Sequence, residues 1–105
     1  MSSPTQRTLA HFRKLGFPLV EVVEKWIPGA NIRKDFAGFV DVIAIDEIGN
    51  VWAVQATSGP NVSARVKKIT DSPMLAVLRL ANWSVIVQGW TKKKGRYVLR
   101  EVNCS

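Results

Sequence analysis

Two polar side chains interrupt otherwise apolar runs in the middle of this chain. Asp41 lies within Gly38–Ile45 (GFVDVIAI), and Gln55 lies within Val51–Ser58 (VWAVQATS). An ionised carboxylate in an apolar strand costs roughly several kcal/mol unless something compensates it. Asp41 therefore calls for a partner, and either a metal ion or an arginine such as Arg33 would serve. Side chains alternate along a strand, so Val51, Ala53, Gln55 and Thr57 share one face. An acid on one strand and a polar-x-polar pair on the next offer oxygen ligands suited to a hard divalent cation, Mg²⁺ or Mn²⁺. A further carboxylate is available from Glu21 or Glu24. Glu24 is preferred because the turn after it leads to Arg33 and the Asp41 strand; a cross-strand ion pair of Glu24 with Arg33 is the equal alternative.

The elements that must position these residues are legible in part. Both runs are of strand length and rich in β-branched residues, and the Asp46–Asn50 break contains Gly49 and Asn50, which tolerate positive φ. A buried β-hairpin over 38–58 follows. Ser3 and Pro4 mark a helix start, with Thr5, Thr8, Leu9, Phe12 and Leu15 as its buried stripe. Gly16 and Pro18 end it. The lone histidine, His11, reads as a surface or packing residue. Leu19–Ile27 reads as one strand by its valine and tryptophan content. Pro28–Asn31 reads as a turn, and Gly38 as a point of close backbone approach.

Past Ser58-Gly59-Pro60-Asn61 a helix is expected, with Val62, Val66 and Ile69 inward and Asn61, Arg65 and Lys68 on an adjacent stripe. Its amino end, at the close of the Gln55 strand, favours a phosphate. A second helical segment, capped by Ser72 with Pro73 following, packs through Met74, Val77, Leu78 and Ala81. Trp83–Trp90 reads as a strand, 91–96 as a basic turn, and Tyr97–Val102 as a returning strand.

Bulk properties narrow the classes. The 105 residues fit one domain, 1–105, and 47% hydrophobic content argues against disorder. One cysteine, Cys104, excludes a disulfide framework within the chain and a cysteine zinc site, and fits a reducing, cytoplasmic setting. Neither a secretory signal nor an apolar run of membrane-spanning length is found, so no membrane partner is expected. Fifteen Lys plus Arg against eight acids give a net charge of +7. Such a balance suits a polyanion, nucleic acid before a membrane surface. Arg33, Lys34, Arg65, Lys68, Lys92, Lys93, Lys94 and Arg96 are the candidate contacts.

The stretch from Asp41 to Thr57 resembles the PD-(D/E)XK, or restriction-endonuclease-like, nuclease superfamily, and most of all its small phage-type and Holliday-junction-resolvase-like members. Asp41 matches the metal-binding Asp. Gln55-Ala56-Thr57 stands where the family has Asp/Glu-x-Lys, so Gln replaces the acid and Thr the lysine. The resemblance implies an α/β (α+β) fold with an αβββαβ core, a central mixed sheet flanked by helices, and a final strand added here. It implies an Mg²⁺- or Mn²⁺-dependent endonuclease acting on DNA, branched or structured DNA included, rather than RNA, and working as a homodimer. Asp41, Gln55 and the Ala56 carbonyl would hold the metal, with Glu24 as a further ligand, and Thr57 would hold the attacking water. Family members lacking the strand lysine sometimes draw a base from the following helix, where Arg65 and Lys68 stand. The alternative is a nucleic-acid-binding module that keeps the fold without cleaving. A helix-turn-helix over 62–81 is disfavoured, because its second segment carries Arg79 as its single charge.

Overall fold

The computed structural model describes residues 3–30 and 32–105, the side chain of Arg33 excepted. The chain is α+β. A five-stranded mixed sheet has helix α1 on one face and α2 and α3 on the other. The strands run β1 (Leu19–Val22), β2 (Lys25–Ile27), β3 (Ile32–Lys34), β4 (Val42–Ile45), β5 (Val51–Ser58), β6 (Ser84–Lys93) and β7 (Arg96–Asn103). The helices are α1 (Pro4–Lys14), α2 (Val62–Thr70) and α3 (Met74–Leu80). The main sheet has the order β1-β4-β5-β6-β7, and β2 and β3 form a separate ribbon. β5 and β6 are parallel, and the other neighbours are antiparallel.

The Asp41–Gln55 hairpin forms as the apolar runs predict, with Val42 opposite Val54 and Ile45 opposite Val51. Its turn is tied by Asp46, whose carboxylate accepts from the Ile48 and Asn50 N–H groups. Gly49 alone of the two turn residues takes positive φ, +88°. The parallel step from β5 to β6 requires a crossover, and α2 and α3 provide it. This places the amino end of α2 at the carboxyl end of β5.

Alternation divides the sheet's two faces. Ala53, Val85 and Val87 pack with Val62, Ile69, Leu75 and Leu78 of the crossover helices. Val42, Ala44, Val54 and Ile86 pack with Leu9 and Phe12 of α1. Gly89 sits opposite Thr57 on the crossover face. A Cβ there would run into Val62 and stand 3.2 Å from the Gly59 Cα, so the bare position lets the start of α2 lie against β6.

Several expected boundaries shift. Leu19–Ile27 is two strands, not one: at Val23 and Glu24 the chain leaves the main sheet, and Lys25–Ile27 pairs with Ile32–Lys34. α1 buries Thr8, Leu9 and Phe12, whereas Leu15, past its end, is 61% exposed. α3 buries Leu75 and Leu78, while Met74 and Val77 face outward. Helical spacing fits either stripe there, since six of the seven α3 residues are apolar, and packing on the sheet decides. The basic turn is narrower than expected. β6 and β7 pair through Lys93 and Arg96, so Lys94 and Gly95 form a two-residue hairpin loop with φ of +48° and +78°. Among the described residues no helix is long and apolar enough to cross a membrane. Cys104 is a free, buried thiol.

Candidate metal centre

Asp41 sits one residue before β4, where the strand pairing loosens. Its N–H donates to the Val54 carbonyl at 2.9 Å, and its own carbonyl accepts from the Val23 N–H at 2.8 Å. The side chain is 5% exposed. One carboxylate oxygen, Oδ2, accepts from the Ala56 N–H at 2.9 Å. β4 has no rung at that position, and the carboxylate takes its place. Along a strand the N–H and C=O of one residue point to the same edge, so the Ala56 carbonyl also faces the Asp41 side.

Two further acids close on Asp41. Glu24 occupies the break between β1 and β2, next to the Val23 rung that anchors Asp41. Its Oε1 accepts from the Thr5 hydroxyl of α1 at 3.4 Å. Asp35 follows β3 directly. The loop Asp35–Asp41 then folds back sharply: Ala37 and Gly38 take φ of +56° and +84°, and Phe36 bridges Val40. Gly38 is needed here for its positive φ. Space around its Cα is open, contrary to the close approach expected of it. The result is that Glu24, Asp35 and Asp41 each place a carboxylate oxygen within 4.8 Å of the others.

Such crowding has an electrostatic consequence. Burial pushes the Asp41 carboxyl up, from 3.8 to about 7, and the neighbouring Asp35 and Glu24 carboxylates push the same way. The Ala56 N–H pulls it down, but not enough to offset them. For Asp41, buried beside two like charges, a cation in their midst would favour the ionised form. A divalent ion removes both penalties, the desolvation and the like-charge repulsion.

Gln55 faces the same space. It is 4% exposed, and its Oε1 is buried without a hydrogen-bond partner among the described residues. A buried unpartnered carbonyl oxygen is costly, and ligation of a cation would satisfy it. Thr57, one pleat on, is buried along the same wall. The cleft enclosing these groups has a volume of about 620 Å³. It is bounded by the amino end of α1 (Ser3–Gln6), by Ser58 at the end of β5, by Asn61, and by Arg65.

The structure thus brings together Asp41, Gln55, Ala56, Thr57, Glu24 and Arg65. Asp35 is the carboxylate of this cluster that the sequence pattern did not single out. Its one signal was six-residue spacing from Asp41 around a glycine. Lys68 is exposed and does not line the cleft, because it stands almost a turn further along α2 than Arg65. Lys34 is exposed on β3. Lys92, Lys93, Lys94 and Arg96 are exposed at the β6–β7 tip. The expectation for the Arg33 side chain lies outside the described residues.

Compared with protein-family models, curated proteins and solved structures, the chain finds no match.

Proposed function

We propose that the protein is a divalent-metal-dependent nuclease of the PD-(D/E)XK type, acting on DNA. The observation that carries the reading is the meeting of Glu24, Asp35 and Asp41 beside the orphaned Gln55 oxygen in one cleft. The order α1-β1-β4-β5-α2-β6, with β5 and β6 parallel, is the order expected of that superfamily's core, and it supports the assignment.

Each residue then has a chemical task. Asp41, Asp35, Glu24 and the Gln55 and Ala56 carbonyls are oxygen donors of the kind Mg²⁺ and Mn²⁺ take. When bound, the metal supplies a Lewis acid and a more acidic water. The Thr57 hydroxyl would hold the attacking water. Arg65, in the first turn of α2, carries positive charge toward the developing phosphoryl charge, the task for which Thr57 lacks a charge. The α2 amino end adds backbone N–H groups. Asp35 makes up the negative charge that the family pattern loses at Gln55.

The test is incubation of branched, single-stranded and duplex DNA with Mg²⁺, Mn²⁺ or EDTA. Cleavage is expected with either metal, absent in EDTA, and absent in Asp41→Asn. Salt-dependent binding with no cleavage under any metal would assign the chain to the alternative, a binding module of the same fold.

A further inference from the structure

A second groove opens on the other side of α1. It has a volume of about 360 Å³, and its walls are Gln6, Arg7, Ala10, His11, Lys14 and Trp90. Gln6 lines this groove and the acidic cleft alike, so the two lie next to each other at the amino end of α1. Their charges are opposite in character. The groove walls hold Arg7, Lys14 and His11 and no acid. Among the described residues neither Arg7 nor Lys14 forms an ion pair.

Trp90 lines the groove, with Tyr97 and Lys92 next to it on the same face of the sheet, and its ring is fixed. Strand pairing sets Tyr97 opposite Lys92, and alternation puts both on the face that carries Trp90 and Gln88. The Trp90 indole N–H donates to the Thr8 hydroxyl at 3.1 Å. Thr8 donates onward to Gln88 Oε1 at 2.9 Å, and Gln88 donates to the Glu101 carboxylate at 2.9 Å. This buried chain locks the indole orientation. His11 meets the indole edge-on, with ring centroids 5.9 Å apart. The Arg7 guanidinium lies over the Tyr97 ring, its Cζ 3.0 Å from the centroid. A fixed aromatic ring flanked by cations that make no ion pair is recognition chemistry for single-stranded nucleic acid: a base stacks on the ring, and the cations follow the phosphates.

We infer that this groove binds a single-stranded polynucleotide segment leading into the acidic cleft, with a base on Trp90 and phosphates on Arg7, Lys14 and Lys92. The direction of the strand into the cleft rests on the nuclease reading; the groove's affinity for single strands does not.

The experiment is a binding titration in EDTA, with an oligo-dT of about 12 nucleotides, read by anisotropy and by tryptophan quenching. Wild type should bind with quenched emission. Trp90→Ala should weaken binding about 5- to 150-fold, the range for losing one base stack. Trp90→Phe should restore most of the affinity and lose the quench. Lys14 is exposed, so Lys14→Glu tests the groove apart from any packing loss at position 90; it should weaken binding severalfold and lower the salt slope by about 0.7. Affinity unchanged in Lys14→Glu, or full quenching retained in Trp90→Phe, overturns the inference. Binding with these effects but no cleavage in Mg²⁺ sinks the nuclease reading and leaves the groove standing. Cleavage with unaltered oligo-dT affinity in Trp90→Ala and Lys14→Glu does the reverse.

Discussion

At the scale of single residues, Asp41 sets the pH behaviour of the metal-free protein. Its folded-state pKa, about 7, lies above the ordinary 3.8. The folded state therefore binds this proton more tightly than the unfolded state does. The sign follows: the contribution is full below about pH 4 and is lost as pH rises to about 7, at up to about 1.4 kcal/mol per pH unit. Thermal melts in EDTA should show stability falling across that window, and Asp41→Asn should remove this part of the slope. Millimolar Mg²⁺ should restore the loss at neutral pH in wild type and not in Asp41→Asn. Gln55 gives a second prediction at this scale. Gln55→Glu adds a negative charge at nearly constant shape beside Asp41. Mg²⁺ affinity should rise by about tenfold, about 1.4 kcal/mol, while stability in EDTA should fall through repulsion. Equal responses to metal in the two proteins would remove Gln55 from the site.

At the scale of elements, the site depends on where α2 begins. Gly89 lets Val62 and the Gly59 turn rest directly on β6, and this seating carries Arg65 to the cleft. Gly89→Ala should cost about 1–3 kcal/mol by overpacking, measured by denaturant unfolding. Cleavage should fall by more than the loss of folded protein explains, since Arg65 moves with the helix. The hairpin tip is a milder case: Lys94 holds φ of +48° without the local bonding that eases Asn into this region. Lys94→Asn should raise stability, by some part of the roughly 1–2 kcal/mol that the left-handed region costs an ordinary residue, and a lowered melting temperature would contradict that conformation.

The same scale explains what the sequence revealed. Asp41 and Gln55 stand out because each breaks an apolar strand, a signal carried by two-residue alternation. Asp35 has no such signal. It enters the site through a loop in which Ala37, not only Gly38, turns left-handed, and tertiary packing rather than residue preference imposes that on an alanine. Glu24 is preferred over Glu21 for the turn that follows it; it stands in the break between β1 and β2, with a carboxylate oxygen within 4.8 Å of those of Asp35 and Asp41. The α3 stripe was misplaced by one position because its apolar residues allow two stripes. The Thr8–Gln88–Glu101 chain was also not foreseen, since it joins residues 80 positions apart.

At the scale of the whole molecule, three of the eight acids, Glu24, Asp35 and Asp41, converge on one cleft, while α1, α2 and the β6–β7 tip carry many of the basic residues behind the net charge of +7. A polyanion is attracted to the surface and repelled at the cleft unless a cation occupies it. Nucleic-acid affinity should therefore fall with salt at about −0.9 per phosphate contact on duplex DNA, and neutralising Lys92, Lys93 and Lys94 together should flatten the slope. Metal should strengthen binding of substrate at the cleft itself.

The nuclease reading turns on a cation at the three acids, and Mn²⁺ binding followed by electron paramagnetic resonance reports directly whether one is held there. Wild type at neutral pH should titrate with a saturable site, displaced by excess Mg²⁺, and Asp41→Asn should lose it. Mn²⁺ remaining free in wild type, or binding equally in Asp41→Asn, would contradict the account.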